Sequence, residues 1–335
     1  MKLTVTKIIT HCTLHITHYT LSTMIIPSTL RDRDKVAIIS PASVVKPEYI
    51  DQAAEYLRAN GLEPVVMPHA KGPGDGSFAS NTSQRIEDLI GAWTDTEVKA
   101  VLCSRGGYGA THLLSLIPDG LLREYPKWLI GFSDISALHA LSLYNGVSSI
   151  HGPMAKDFRD DHEGGRTVVE FLKTGVLPEY SFENKESDIM PCNIPGEARG
   201  TLIGGNLAVL NGLAATPYDM LARALRENCV LFIEDIAEPI YKVERILYRL
   251  YMQGIFTKLK GLAVGQFTET SADRNYPSTE RMIQHFLKAK GIKDIPVAYN
   301  LPVGHFPNNL PVIEGAQVRL AVSPEAATLT TLNFR

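Results

Sequence analysis

From Lys35 to Ile150 the hydrophobic positions keep two alternating rhythms. Short apolar runs at 35–39, 63–67, 98–103, 128–132 and 147–150 end in Gly, Pro, Ser or His. Such runs read as buried strands. Between them, apolar residues return at three- and four-residue intervals, the period of amphipathic helices. Helix 47–59 begins at Pro47 and stops at Asn60-Gly61, with proline just inside the start and glycine just past the end. Helices are also predicted at about 83–93 and 110–117, and one led by Ile135, Leu138 and Leu141 closes at Asn145-Gly146. This strand–helix alternation predicts a mostly parallel sheet with helices on both faces.

From 157 to 195 the periodicity weakens and charge-rich stretches appear, which reads as a crossover. A second unit opens at Arg199 with a helix at about 207–214. Strands at 229–233, 261–266 and 296–299 then alternate with helices around 243–251 and 278–290. Segments 317–322 and 327–332 close the chain as a β hairpin. The expected organisation is an N-terminal α/β domain over 24–165, a linker over 166–195 and a smaller C-terminal α/β domain over 196–335.

Composition narrows the function classes. A chain of 335 residues suits about two domains, and 44% hydrophobic with 21% charged residues is an ordinary globular balance. A formal net charge of −3 argues against a nucleic-acid or anionic-membrane surface. No apolar run approaches the ~20 residues of a transmembrane helix. Cys12, Cys103, Cys192 and Cys229 lie far apart without paired-ligand spacing, which fits reduced thiols in a cytosolic protein rather than a disulfide framework or zinc site. Residues 1–23 lack the apolar core and cleavage site of a secretory signal. Their His11, His15 and His18 have the spacing of a metal-binding helix, but the Thr-rich context reads as a disordered or wrongly assigned extension, with Met24 a fitting start.

Candidate chemistry gathers where strands end. Ser133 and Asp134 follow the 128–132 run, so Ser133 stands at a strand-to-helix corner with unpaired helical N–H groups after it. The same two residues are also ordinary helix caps, and the spacing is not Gly-x-Ser-x-Gly. After strand 98–103 comes Ser104-Arg105-Gly106-Gly107-Tyr108-Gly109, which matches neither dinucleotide nor Walker patterns. It suits a tight turn, a phosphate cradle or an anion-donor loop. Glu234 ends an apolar strand, where a buried carboxylate needs a partner. His139 falls on an apolar helix face and His112 on a helix surface, whereas His151 and His305 both sit in Gly/Pro loops after strands. Chemistry alone leaves both of the latter open as a base for the serine.

SRGGYG, GFSD, HGPM, the Gly-Gly-Asn206-Leu207 turn, LFIED and PVGH, in that order, resemble the LD-carboxypeptidases. These are serine peptidases that recycle bacterial cell-wall peptides, with the microcin C immunity proteins as relatives. The likeness runs from about Met24 to the C-terminus. It implies a flavodoxin-like or amidotransferase-like N-terminal domain, a smaller C-terminal domain and an active site between them. By motif, the nucleophile is Ser133, the acid Glu234 and the base His305, with Asp235 as a competing neighbour of the acid. The oxyanion hole would use the N–H of Asp134 and one from Gly106 or Gly107. No metal and no organic cofactor is implied. The expected substrate is a murein tetrapeptide losing its terminal D-Ala, and the expected protein a cytoplasmic homodimer with no nucleic-acid or membrane partner.

A carboxypeptidase must recognise a chain end, and Arg105 offers a bidentate match to a carboxylate. Its alternative is a structural pairing with Glu234 or Glu238. Two other functions fit the same residues. One is an amidase of the microcin-immunity type acting on peptidyl- or aminoacyl-nucleotides, differing in a pocket wall within 157–195. The other is a non-catalytic binding module, against which the intact Ser133, Glu234 and His305 argue.

Overall fold

A computed structural model describes residues 24–183 and 192–332. The expectations for residues 1–23, with Cys12, His11, His15 and His18, and for residues 184–191 lie outside the described residues.

Two sheets carry the architecture. In the first, β1 (Lys35–Ile39), β2 (Glu63–Val66), β3 (Val98–Cys103), β4 (Trp128–Gly131) and β5 (Ser149–His151) run parallel. A sixth strand, β11 (Val312–Glu314), comes back from the far end of the chain and pairs antiparallel with β5, giving the order β11-β5-β4-β3-β1-β2. Residues Val36 to Ile39 are all buried, as a parallel strand covered on both faces requires. Helices α1 (Pro47–Ala59) and α5 (Glu163–Thr174) pack in the core on one face. Helices α2 (Thr82–Thr94) and α4 (Ser136–Tyr144) pack on the other. The short α3 spans Leu121–Glu124.

The second sheet has the order β10-β9-β8-β7-β12-β13-β6. Its parallel half is β7 (Gly196–Asn206), β8 (Cys229–Ile236), β9 (Gly261–Thr268) and β10 (Val297–Ala298). The hairpin β12 (Gln317–Val322) and β13 (Ala326–Leu332), with β6 (Tyr180–Glu183), forms the antiparallel half. Helices α6 (Leu207–Gly212), α7 (Ile240–Met252) and α8 (Thr279–Ala289) share one continuous apolar core with α2 and α4. That shared core holds the carboxyl ends of β4 and β8 close together.

Four elements differ from the sequence expectation. Segment 157–195 carries α5 and β6. The Gly164-Gly165 start of α5 masked its periodicity, yet Val168, Val169, Phe171 and Leu172 bury one face at helical spacing. β11 has three residues, too few for a period to register. The expected helix at 110–117 is a 3-10 turn over Ala110–Leu116. Cys103, Cys192 and Cys229 are buried and unpaired.

Candidate active site

The strand β4 is buried throughout, and its chain turns sharply at Ser133, whose φ of +65° lies in the left-handed region. A residue with a Cβ holds that conformation only when its surroundings impose it, at a cost of roughly 1 kcal/mol or more. The turn lifts the Ser133 hydroxyl away from helix-capping geometry, and no side-chain cap bond forms at the start of α4. Ser133 Oγ instead lies 2.9 Å from His305 Nε2. His305 Nδ1 lies 2.7 Å from Glu234 Oε2. Nδ1–H therefore donates to the carboxylate, and the serine hydroxyl donates to Nε2, an assignment that follows from the acceptor-only carboxylate.

The three side chains come from three elements. Ser133 follows β4, Glu234 lies in β8, and His305 sits in the loop after β10. Glu234 is fully buried, and His305 retains 13% side-chain exposure, which leaves an edge of its ring open to solvent. The His305 ring packs on Phe132 at a centroid distance of 4.9 Å, and Thr268 Oγ1 donates to the His305 carbonyl. Gly304, at φ +126°, makes this approach possible. A Cβ there would stand 3.0 Å from Glu234 Cβ and 3.1 Å from Oε2.

The neighbouring residue Asp235 faces elsewhere, as alternate positions of a strand must. Its carboxylate accepts from Asn206 Nδ2, from the Ala208 N–H and from its neighbour Ile236 N–H. Burial, reinforced by the charge of Glu234, pushes its carboxyl up to about 7. His151, expected in a loop, is the last residue of β5, because its backbone pairs with Gly131 and Val312; it is fully buried and does not bond Ser133. His139 is buried on the apolar helix face as expected, its Nε2 against the Gly131 carbonyl and its Nδ1 against Ser149 Oγ. His112 is exposed and packs edge-on to Phe78 and Tyr108.

The glycine loop lies against Ser133. A Cβ on Gly106 would stand 2.8 Å from Ser133 Cβ, 3.0 Å from its Oγ and 3.1 Å from the Asp134 nitrogen. Asp134 Oδ2 accepts from the Ala110 N–H at 2.8 Å, fastening the far end of the loop to the serine corner. Burial raises the Asp134 carboxyl, with that N–H bond, His112 and Arg85 acting against it. The near end is held by Ser43, whose N–H donates to the Gly106 carbonyl and whose Oγ accepts from Tyr108 N–H. Arg105 is exposed. It donates to the Val44 carbonyl at 2.7 Å and pairs with neither Glu234 nor Glu238.

Sequence reading missed Arg85. It is buried in α2 and donates to the carbonyls of Pro41, Ser80 and Gly109, gathering three loops of the rim. An arginine on a helix reads as a solvated position, so no local signal marks it. Ser136 was missed for the same reason, because its partner, the Asn206 N–H, is distant in sequence. A cavity of about 700 Å³ lined by Arg199, Lys258, Lys260, Lys290 and Lys293 opens at the amino ends of β7, β9 and β10, remote from these residues.

Comparison with known proteins gives matches along most of the chain. Residues 36–152 match the LD-carboxypeptidase N-terminal domain, and residues 199–320 match the LD-carboxypeptidase C-terminal domain. A probable murein peptide carboxypeptidase of Bacillus subtilis (strain 168) is 31% identical over 307 residues, 90% of this chain and 93% of the relative. The crystal structure of muramoyltetrapeptide carboxypeptidase from Oxalobacter formigenes superposes with a TM-score of 0.75 at 29% identity, over 90% of this chain and 99% of that one. The microcin C7 self immunity protein in its apo state shares the fold, with a TM-score of 0.78 at 19% identity over 92% and 99% of the two chains.

Proposed function

The chain belongs to the LD-carboxypeptidase family and is a serine carboxypeptidase, and on that premise we propose that it removes the terminal D-Ala of murein tetrapeptides through Ser133, His305 and Glu234. The observation that carries this reading is the unbroken hydrogen-bonded series from Ser133 Oγ through both nitrogens of His305 to a fully buried Glu234. A buried carboxylate with one imidazole partner holds that ring in a single tautomer and stabilises the imidazolium when it forms.

In this reading Ser133 Oγ attacks the carbonyl carbon of the L,D amide while its proton passes to His305 Nε2. The oxyanion is met by the Asp134 N–H and the Gly107 N–H. The choice of Gly107 over Gly106 follows from peptide geometry. The Gly106 carbonyl accepts from Ser43, which follows β1, and β1 flanks β3 on the side away from β4. All described peptides are trans, so the Gly107 N–H points away from Ser43, which supports it as the second donor. Gly106 then serves by its missing side chain. His305 returns the proton to the departing D-Ala nitrogen as the C–N bond breaks. Water next attacks the acyl-serine, giving its proton to Nε2, and Ser133 recovers its hydroxyl as the shortened peptide leaves.

Arg105 stands at the rim one residue before these glycines, and we assign it the free carboxylate of the D-Ala. Its guanidinium is anchored through one nitrogen to Val44, and no acid among the described residues claims the rest. The reading also takes the protein as a cytoplasmic homodimer, which sedimentation tests. Among the described residues no helix is long and apolar enough to cross a membrane.

Mass spectrometry of a panel of murein tetrapeptides and aminoacyl-nucleotides incubated with the protein tests the assignment. Release of D-Ala from the tetrapeptide is expected. Cleavage of the nucleotide conjugates alone would shift the substrate to the microcin-immunity type. Absence of turnover together with absence of fluorophosphonate labelling at Ser133 would make the protein a binding module.

A further inference from the structure

Behind the serine corner, three side chains that hydrolysis does not use meet in the layer between β5, β11 and α4. His139, His151 and Glu314 are all buried, with 1% exposure at most. Each offers a ligand atom, and the three atoms lie within 4.8 Å of one another. Both ring nitrogens of His151 and both carboxylate oxygens of Glu314 lack a hydrogen-bond partner. Leaving a buried polar group unpaired costs about 1–3 kcal/mol each, so four orphaned atoms in one cluster call for a shared partner. A proton on Glu314 would serve one contact and leave the rest unmet. A cation serves ligand atoms from all three residues at once.

We propose that His139, His151 and Glu314 form a structural binding site for a divalent transition metal of the zinc type. Two imidazoles and a carboxylate are the donor set that zinc accepts. His151 Nδ1 and Glu314 Oε1 are 3.6 Å apart. Two ligand bonds of ~2.1 Å meeting at a near-tetrahedral angle set their ends roughly 3.4 Å apart, so this pair already straddles the required position. His139 is prepared in the usual manner of a metal-bound histidine. Its Nε2–H donates to the Gly131 carbonyl at 2.8 Å, which leaves the lone pair on Nδ1. Ser149, the register partner of Glu314, donates its hydroxyl to that Nδ1 at 2.8 Å; on metal binding the hydroxyl would turn aside, freeing the lone pair and leaving Oγ as a fourth donor or to orient a water.

The ion would staple three parts of the chain: α4, which follows the serine, β5, and β11 from the C-terminal part. Phe132 stands between this cluster and the proposed base, with ring centroids 6.1 Å from His151 and 4.9 Å from His305. The metal thus supports the wall on which His305 rests without touching substrate.

The test uses full-length, untagged protein, stripped with EDTA, dialysed, and titrated with zinc and with cobalt(II). One equivalent of zinc surviving gel filtration is expected, together with a raised thermal midpoint and the visible absorption of low-symmetry cobalt(II). All three signals should disappear in Glu314→Gln. Wild-type protein that retains no metal and shows no thermal shift overturns the proposal, whether or not the variant folds. Zinc retained equally by Glu314→Gln also overturns it. Binding that disappears instead when His11, His15 and His18 are replaced by Asn assigns the metal to the N-terminal residues and has the same consequence.

Discussion

Ser136, three residues after Ser133, accepts the backbone N–H of Asn206 on its Oγ at 2.9 Å, and Asn206 is the register partner of Glu234. One buried hydrogen bond therefore ties the helix behind the serine to the strand pair that carries the acid. Ser136→Ala leaves the Asn206 N–H buried without an acceptor. Urea unfolding should show a loss of about 1–3 kcal/mol. An unchanged midpoint and slope would mean that this contact does not hold the two sheets in place.

Ser133→Ala removes the proposed nucleophile while conserving the buried surroundings. Turnover should fall roughly 10⁴- to 10⁶-fold, with the circular dichroism spectrum and thermal midpoint retained. Activity within tenfold of wild type would exclude Ser133 as the attacking group.

Glu234→Gln keeps the shape of the side chain but presents an amide to His305 Nδ1. The imidazole then loses both its fixed tautomer and its counter-charge. A fall of about 10⁴-fold in kcat is expected, with a smaller change in KM. A comparable loss in Asp235→Asn, measured beside it, would move the acid to the neighbouring position.

Gly106→Ala places a methyl group 2.8 Å from Ser133 Cβ and 3.1 Å from the Asp134 nitrogen. The first is a Cβ fixed rigidly to the backbone and the second is a backbone nitrogen, neither the end of a long side chain, so the corner itself must move. A displacement approaching 1 Å at the reacting atoms lowers kcat by ~10²-fold or more. The measurement pairs steady-state kinetics with thermal unfolding, and a purely thermal effect would count against the close-approach role.

Arg105→Ala should reduce activity far more on the free-acid peptide than on its C-terminal amide, because only the acid offers a carboxylate. Equal losses on both substrates would return Arg105 to its anchoring bond with the Val44 carbonyl.

Asp235 links stability to pH in a direction opposite to that of a salt-bridged carboxylate. Burial and the charge of Glu234 raise its native value to about 7, well above the unfolded range near 4. Between those limits the native state holds a proton that the unfolded chain has released, so this residue's contribution falls as pH rises and levels off above about 7. Asp235→Asn removes the effect. The stability of the variant relative to wild type should therefore improve by on the order of 2 kcal/mol between pH 5 and pH 7.5 in matched urea titrations. A constant difference across that range would show that the proton is not held there.

Much of this protein is written locally. The run Lys35 to Ile39 can only be a covered strand, because no solvent face interrupts it, and Pro47 with Asn60-Gly61 marks both ends of α1 through backbone restrictions that need no tertiary partner. Ser133, Glu234 and His305 are each legible as strand-end chemistry, and the ordered motifs around them identify the family. The tertiary structure decided everything that depends on distance between remote residues. Of two rings that the sequence places in similar loops, it set His305 beside Ser133 and buried His151 at the end of β5. It set Glu234 toward the imidazole and Asp235 away from it, through the alternation of a strand whose register is fixed by its neighbours. It also revealed β11, whose three residues carry no period of their own and acquire a place only by pairing with β5. Periodicity reports which face of an element is buried. What that face is buried against is a property of the whole packed chain.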